Sequence, residues 1–275
     1  MAILEQIRLY EIIVLLYGLS LTLYFYDFVE RNRKANRFAF WLLLFVWILQ
    51  TGLLFSNIYL NGFIAMFNGV EGLYFYAWLI LLVSIVVNYF FKVDLVVFIV
   101  NLIGFSLMVL SILNIASSDA TAATDYIISE ILVSHIVLAF VAYTLYTLSF
   151  AFATLYLIQF YLLKRKRWRQ LVKRIGNLAQ LEKISFLLTV FATPLLLISL
   201  ILGVLWAYTA DDLFYWIDAK TVGSFVVIGI YSIILYIRVR HKLIGKKIAK
   251  WNVFAFLFLF CNYLILSMLS NFHGL

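Results

Sequence analysis

Long apolar runs, interrupted at near-regular intervals by short polar clusters, dominate the chain. A membrane-spanning helix needs about 20 mostly apolar residues. That rule yields eight segments: roughly 7–28, 38–59, 72–91, 95–116, 128–163, 184–208, 221–240 and 251–272. Within lipid each must be a helix, because only a helix satisfies all its backbone amides inside its own segment. The reading is an all-α, polytopic integral membrane protein: a bundle of eight transmembrane helices forming a single domain over 1–275. The fifth segment exceeds what a bilayer requires, so its first turns, including EILVSHIVLAF (130–140), are expected to tilt or project. The only proline, Pro194 in FATPLLLISLILG, removes one helical hydrogen bond and predicts a kink.

Composition strengthens the membrane reading. The chain is 66% hydrophobic and 12% charged, with mean hydropathy +1.05, more apolar surface than a soluble domain could cover. The N-terminal stretch MAILEQIRLYEIIVLLYG lacks a basic region or small-residue cleavage site and reads as a retained first span. The single cysteine, Cys261, excludes a disulfide framework and is expected to be a small buried hydrophobe.

Charge adds orientation. Alternate connections, ERNRKANR (30–37), FKVD (91–94), KRKRWRQLVKRIGNLAQLEK (164–183) and RVRHKLIGKKIAK (238–250), hold 19 of the 21 lysines and arginines. The positive-inside rule puts these loops in the cytoplasm and both termini outside. A net charge of +8 then reads as affinity for anionic headgroups of the lipid bilayer, with no nucleic acid implied. In the third loop, Leu171, Val172, Ile175, Leu178 and Leu181 recur at helical spacing, predicting an amphipathic helix with a basic face that includes Lys173 and Arg174. It suits either a headgroup surface or an acidic patch on a partner.

Candidate chemistry gathers on the opposite side. His135 lies near the start of the fifth span, and His273 follows the last one in SMLSNFHGL. The loop LWAYTADDLFYWIDAKTVG (205–223) interleaves Trp206, Tyr208, Tyr215 and Trp216 with Asp211, Asp212, Asp218 and Lys220. Two neutral imidazoles can take the axial positions of a haem iron, flat rings can pack on the porphyrin, and a lysine can pair with a propionate. An interfacial belt of tryptophan and tyrosine is the other reading of the same rings. His241, in a basic loop, reads as a solvated side chain. Asn101, Asn262, Gln50 and Gln159 read as hydrogen-bonding links between helices. No phosphate-binding loop, zinc spacing or nucleophile elbow is present, and no titratable pair converges with a nucleophile, so the chain is expected to bind and not to catalyse.

These residues carry a resemblance. SHIVLAFVAYTLYTLSFAFATLYLIQ (134–159), FATPLLLISLILGVLWA (191–207), the ring-rich loop and NFHGL (271–275) resemble the cytochrome c assembly (CcsA/CcmC-like) haem-handling superfamily, over helices five to eight at about 128–275. ERNRKANRFAFWLLLFVWILQT and FNGVEGLYFYAWL (67–79) are similar to one branch of it. The resemblance implies a haem cofactor, with His135 and His273 as iron ligands and Trp206, Tyr215, Trp216, Asp218 and Lys220 in the haem-facing loop. For that branch it implies negative regulation of the amount of glutamyl-tRNA reductase, engaged at the cytoplasmic loops. A haem transporter or chaperone for cytochrome c maturation is the alternative. The family's loop, of the form WGxYWxWDxKxT, is altered here. Asp211 and Asp212 replace its first Trp-Gly, Tyr215 and Ile217 replace two further tryptophans, and Ala219 replaces a proline, while Asp218 and Lys220 remain. Carboxylates repel an anionic porphyrin unless they turn away, so the loop reads as a retuned haem platform.

Overall fold

A computed structural model describes residues 2–30, 32–61, 69–91, 94–117, 130–164, 177–209 and 219–266. Among these the chain is entirely helical: α1 Ala2–Glu30, α2 Arg33–Asn61, α3 Gly69–Phe91, α4 Asp94–Ser117, α5 Glu130–Lys164, α6 Leu178–Thr209, α7 Ala219–Arg240 and α8 Lys246–Cys261. A π-helical turn, Asn262–Leu266, continues α8. The first seven of these helices are long and apolar enough to cross a membrane. The eighth expected span, 251–272, is described only as far as Leu266, with α8 covering 251–261 and the π-turn 262–266.

The helices form two compact units, Met1–Ile128 and Ser129–Leu275. In the first, α1 packs on α2 and α4, and α3 on α2 and α4. Its interior is sewn by polar groups that would be costly in lipid without partners. Tyr17 Oη donates to Asn101 Oδ1 at 2.8 Å, and Asn101 Nδ2 donates to Ser84 Oγ at 2.8 Å and to the Val97 carbonyl at 2.9 Å. Gln50 Nε2 reaches the Met108 sulfur at 3.0 Å, while Tyr74 Oη donates to the Gln50 carbonyl at 2.8 Å. These links come from the residue types the sequence singles out. Gly104 lets α4 approach closely, since a Cβ there would lie 2.7 Å from Tyr17 Oη and 3.1 Å from Ile80 Cγ2.

In the second unit, α5 lies against α6 and α8, and α7 against α6 and α8. Serine, threonine and asparagine form its central junction. Asn252 Nδ2 on α8 donates to Ser149 Oγ on α5 at 2.7 Å and to Ser185 Oγ on α6 at 2.8 Å, and Ser149 Oγ lies 2.8 Å from Thr189 Oγ1. Tyr146 stacks on Tyr231 of α7 with ring centroids 3.8 Å apart and donates to Thr193 Oγ1 at 3.0 Å. In the π-turn, Asn262 Nδ2 donates to Ser224 Oγ at 3.4 Å. α6 runs through Pro194 as one helix.

Two expectations are corrected. Leu178 and Leu181 do not belong to a separate surface helix in the third basic loop. They open α6, where Leu181 is buried, because Asn177 caps the helix: its Oδ1 accepts from the Ala179 amide at 3.0 Å. Lys173 and Arg174 lie outside the described residues. Cys261 is exposed and not buried. It shares a helical face with Phe254, Leu257 and Phe258, all exposed, and in lipid an apolar exposed face has no penalty. His241 is exposed as expected, its ring edge toward Tyr236 at 6.1 Å between centroids.

Candidate functional site

The expected ligand His135 stands five residues into α5, on the helix pair with the most extensive contact among the described helices, α5 and α6. Its ring is half-buried and held by α6. Nδ1 lies 2.6 Å from the Ser199 carbonyl oxygen and 3.1 Å from Ser199 Oγ. Ser199 Oγ in turn donates to the His135 carbonyl at 2.7 Å. Beneath the ring is Gly203, where a Cβ would lie 2.7 Å from His135 Cε1 and 2.8 Å from Nδ1. Sequence reasoning assigned no role to Ser199 or Gly203. Their signal is faint: two small residues four apart in an otherwise bulky apolar run, ISLILG.

Trp206 lies three residues past Gly203 on α6 and is half-buried. Ala219 and Lys220 open α7, and the Glu182–Arg238 pair, between the start of α6 and the end of α7, makes those helices antiparallel. The α7 start therefore lies at the same end of the unit as His135 and Trp206. Tyr215, Trp216, Asp218 and His273, with Asp211 and Asp212, lie outside the described residues. The structure thus brings His135 and Trp206 to one end of the unit, on the paired helices.

Haem asks fewer protein ligands of a site than a bare ion does. Among the described residues no cluster of three or more His, Cys, Asp or Glu could hold a metal. Haem iron needs only one or two axial ligands from protein, and ligating histidines usually donate their other ring N–H to a carbonyl or carboxylate. The contact between His135 Nδ1 and the Ser199 carbonyl has the partners of such a bond. The residues present fit the group.

The described helices define a polytopic membrane protein with a carbonyl-anchored histidine, and the comparisons with known proteins name its family. The family model described as Cytochrome C assembly protein matches residues 66–273, and the chain belongs to that family. The match begins well before residue 128, so it takes in α3 and α4 as well as α5 to α8. Within the family the chain is HemX-like. It is 44% identical over 266 residues to Protein HemX of Bacillus subtilis (strain 168), covering 97% of this chain and 96% of that protein. It is 37% identical over 265 residues to Protein HemX of Brevibacillus brevis, covering 96% and 97%. No solved structure matches the chain.

Proposed function

We propose that this HemX-like protein acts in tetrapyrrole metabolism at the bacterial cytoplasmic membrane, as a negative regulator of the amount of glutamyl-tRNA reductase. It works by binding, with haem as the sensed ligand. His135 and His273 hold the iron, and Trp206, Tyr215 and Trp216 offer flat surface to the porphyrin. Lys220 pairs with a propionate beside Asp218. Haem supplies a ligand whose occupancy reports tetrapyrrole supply; the chain's own residues bind and orient it. The carrying observation is the ring of His135, aimed by α6, in a chain similar to Protein HemX over nearly its whole length. A further support is that Tyr263, ten residues before His273 in the sequence, packs on Phe140 and Tyr143 of the helix that carries His135.

The reductase is reached from the cytoplasm, at the basic loops, with Lys173 and Arg174 as contacts. Deleting the protein should raise the reductase level and leave cytochrome c maturation intact. The family's description as cytochrome C assembly favours the second reading, a haem transporter or chaperone, and that reading requires maturation to fail in the deletion strain. Purified protein should bind haem with a low-spin spectrum that His135→Ala or His273→Ala abolishes. A spectrum indifferent to both would move the ligands elsewhere.

The orientation has its own test. With eight spans and both termini outside, reporter fusions after Arg37, Arg174 and Lys247 should be active only with a cytoplasmic reporter. A fusion after Asp119 should be active only with an external one. Equal behaviour of all four would sink the eight-span arrangement.

A further inference from the structure

The geometry points to Ser199 and Gly203 as a positioning pair that fixes the tautomer of His135 and makes Nε2 its basic, ligand-binding nitrogen. A carbonyl oxygen can only accept a hydrogen bond, and the Ser199 carbonyl sits 2.6 Å from Nδ1. With the proton on Nε2, two lone pairs would face each other at that distance. Nδ1 therefore carries the hydrogen. The serine hydroxyl agrees: it donates its one proton to the His135 carbonyl at 2.7 Å, so toward Nδ1 at 3.1 Å it can act only as acceptor. Both contacts on Nδ1 require a donor there, and the neutral ring then holds its lone pair on Nε2.

Gly203 is the reason the ring can reach that carbonyl. In an α-helix the carbonyl of residue i is bonded by the amide of residue i+4, so Ser199 C=O and Gly203 N–H are partners. The side chain at i+4 rises beside that carbonyl and usually shields it. Here there is none, and a methyl at Gly203 would meet three ring atoms of His135, at 2.7, 2.8 and 3.2 Å. Ser199, wholly buried, supplies the acceptors, and Gly203 opens the notch beside them. The pair touches no ligand itself and acts through His135. Donation from Nδ1–H to a carbonyl also makes Nε2 the stronger base toward a metal.

The tautomer stands on this geometry alone, whereas its consequence for haem rests on the function proposed above. Two measurements keep them separate. The first uses full-length protein in lipid nanodiscs, ¹⁵N-labelled at histidine, with His241→Gln and His273→Gln leaving a single imidazole. Its NMR signals should show a protonated Nδ1 and a pyridine-type Nε2, and Gly203→Ala should shift both. A protonated Nε2, or signals unchanged by Gly203→Ala, would overturn the assignment. The second titrates hemin into otherwise wild-type protein. Gly203→Ala should weaken affinity about 10- to 100-fold, the usual effect of disturbing a ligand's supporting partner. His135→Asn keeps an N–H donor for the Ser199 carbonyl, so its melting temperature should stay near wild type while the His135-dependent spectrum is lost. Hemin binding unaltered by Gly203→Ala would refute the positioning role. An Nδ1–H signal with no hemin bound would support the tautomer and overturn the haem reading.

Discussion

Gly104→Leu should lower the stability of the protein by about 3 kcal/mol, seen as an early loss of the first unit on heating in detergent. Two effects add. Even the first atom of a side chain at this position would fall 2.7 Å from Tyr17 Oη. Tyr17 cannot swing aside: it is wholly buried, its ring lies edge-on to Phe105 at 5.7 Å, and its hydroxyl holds Asn101. Making room therefore breaks the link between α1 and α4 and strands an amide that also serves Ser84. Gly52 and Gly229 supply the control, because a Cβ on either meets nothing within 4 Å. Alanine at those positions should be neutral or stabilising by up to about 1 kcal/mol, the helix-propensity gain over glycine. A Gly104→Leu protein as stable as these controls would show that α4 does not pack on α1 as described.

Arg238→Gln should cost about 2 kcal/mol, between the values for exposed and fully buried pairs. Arg238 Nη2 lies 2.8 Å from Glu182 Oε1, with the two side chains 18% and 15% exposed. The N–H is not aimed well enough at that oxygen for a hydrogen bond, so charge holds the pair. The guanidinium also covers the Phe186 ring at 5.2 Å and donates through Nη1 to the Leu243 carbonyl at 3.2 Å. Removing the cation leaves a largely desolvated carboxylate without its counter-charge. The double variant Glu182→Gln, Arg238→Gln removes that orphaned charge and should recover at least half of the loss. If the double variant melts as early as the single one, the loss comes from packing and not from charge.

That ion pair also explains where sequence reading stopped. The seven long spans were legible because lipid demands unbroken apolar length, a property that needs no knowledge of neighbours. The start of α6 was not. Glu182 and Lys183 look like loop residues when read locally, and only the folded chain brings Arg238 to Glu182. Cys261 failed for the opposite reason: an apolar run in lipid does not reveal which of its faces turns inward. Asn101, Asn262 and Gln50 were legible as links because a polar group in such a run needs a partner, although the partner's identity came from the fold. At the candidate site, His135 stood out by chemistry. Ser199 and Gly203 did not, because a small residue declares its role only when something large rests on it.

The length of α5 bears on how any cargo reaches its histidine. From Lys164 back to His135 is 29 residues, or about 44 Å of helix. The hydrocarbon core of a bilayer is about 30 Å thick, and a tilt of about 20° shortens the helix's vertical reach by only a few ångströms. With Lys164 at one interface, the imidazole clears the acyl chains on the other side and stands at headgroup height. A flat amphiphile would meet it edge-first from the wet margin of the membrane, with its acidic groups still hydrated. If His135 binds haem as proposed, loading would need no passage through the bilayer interior.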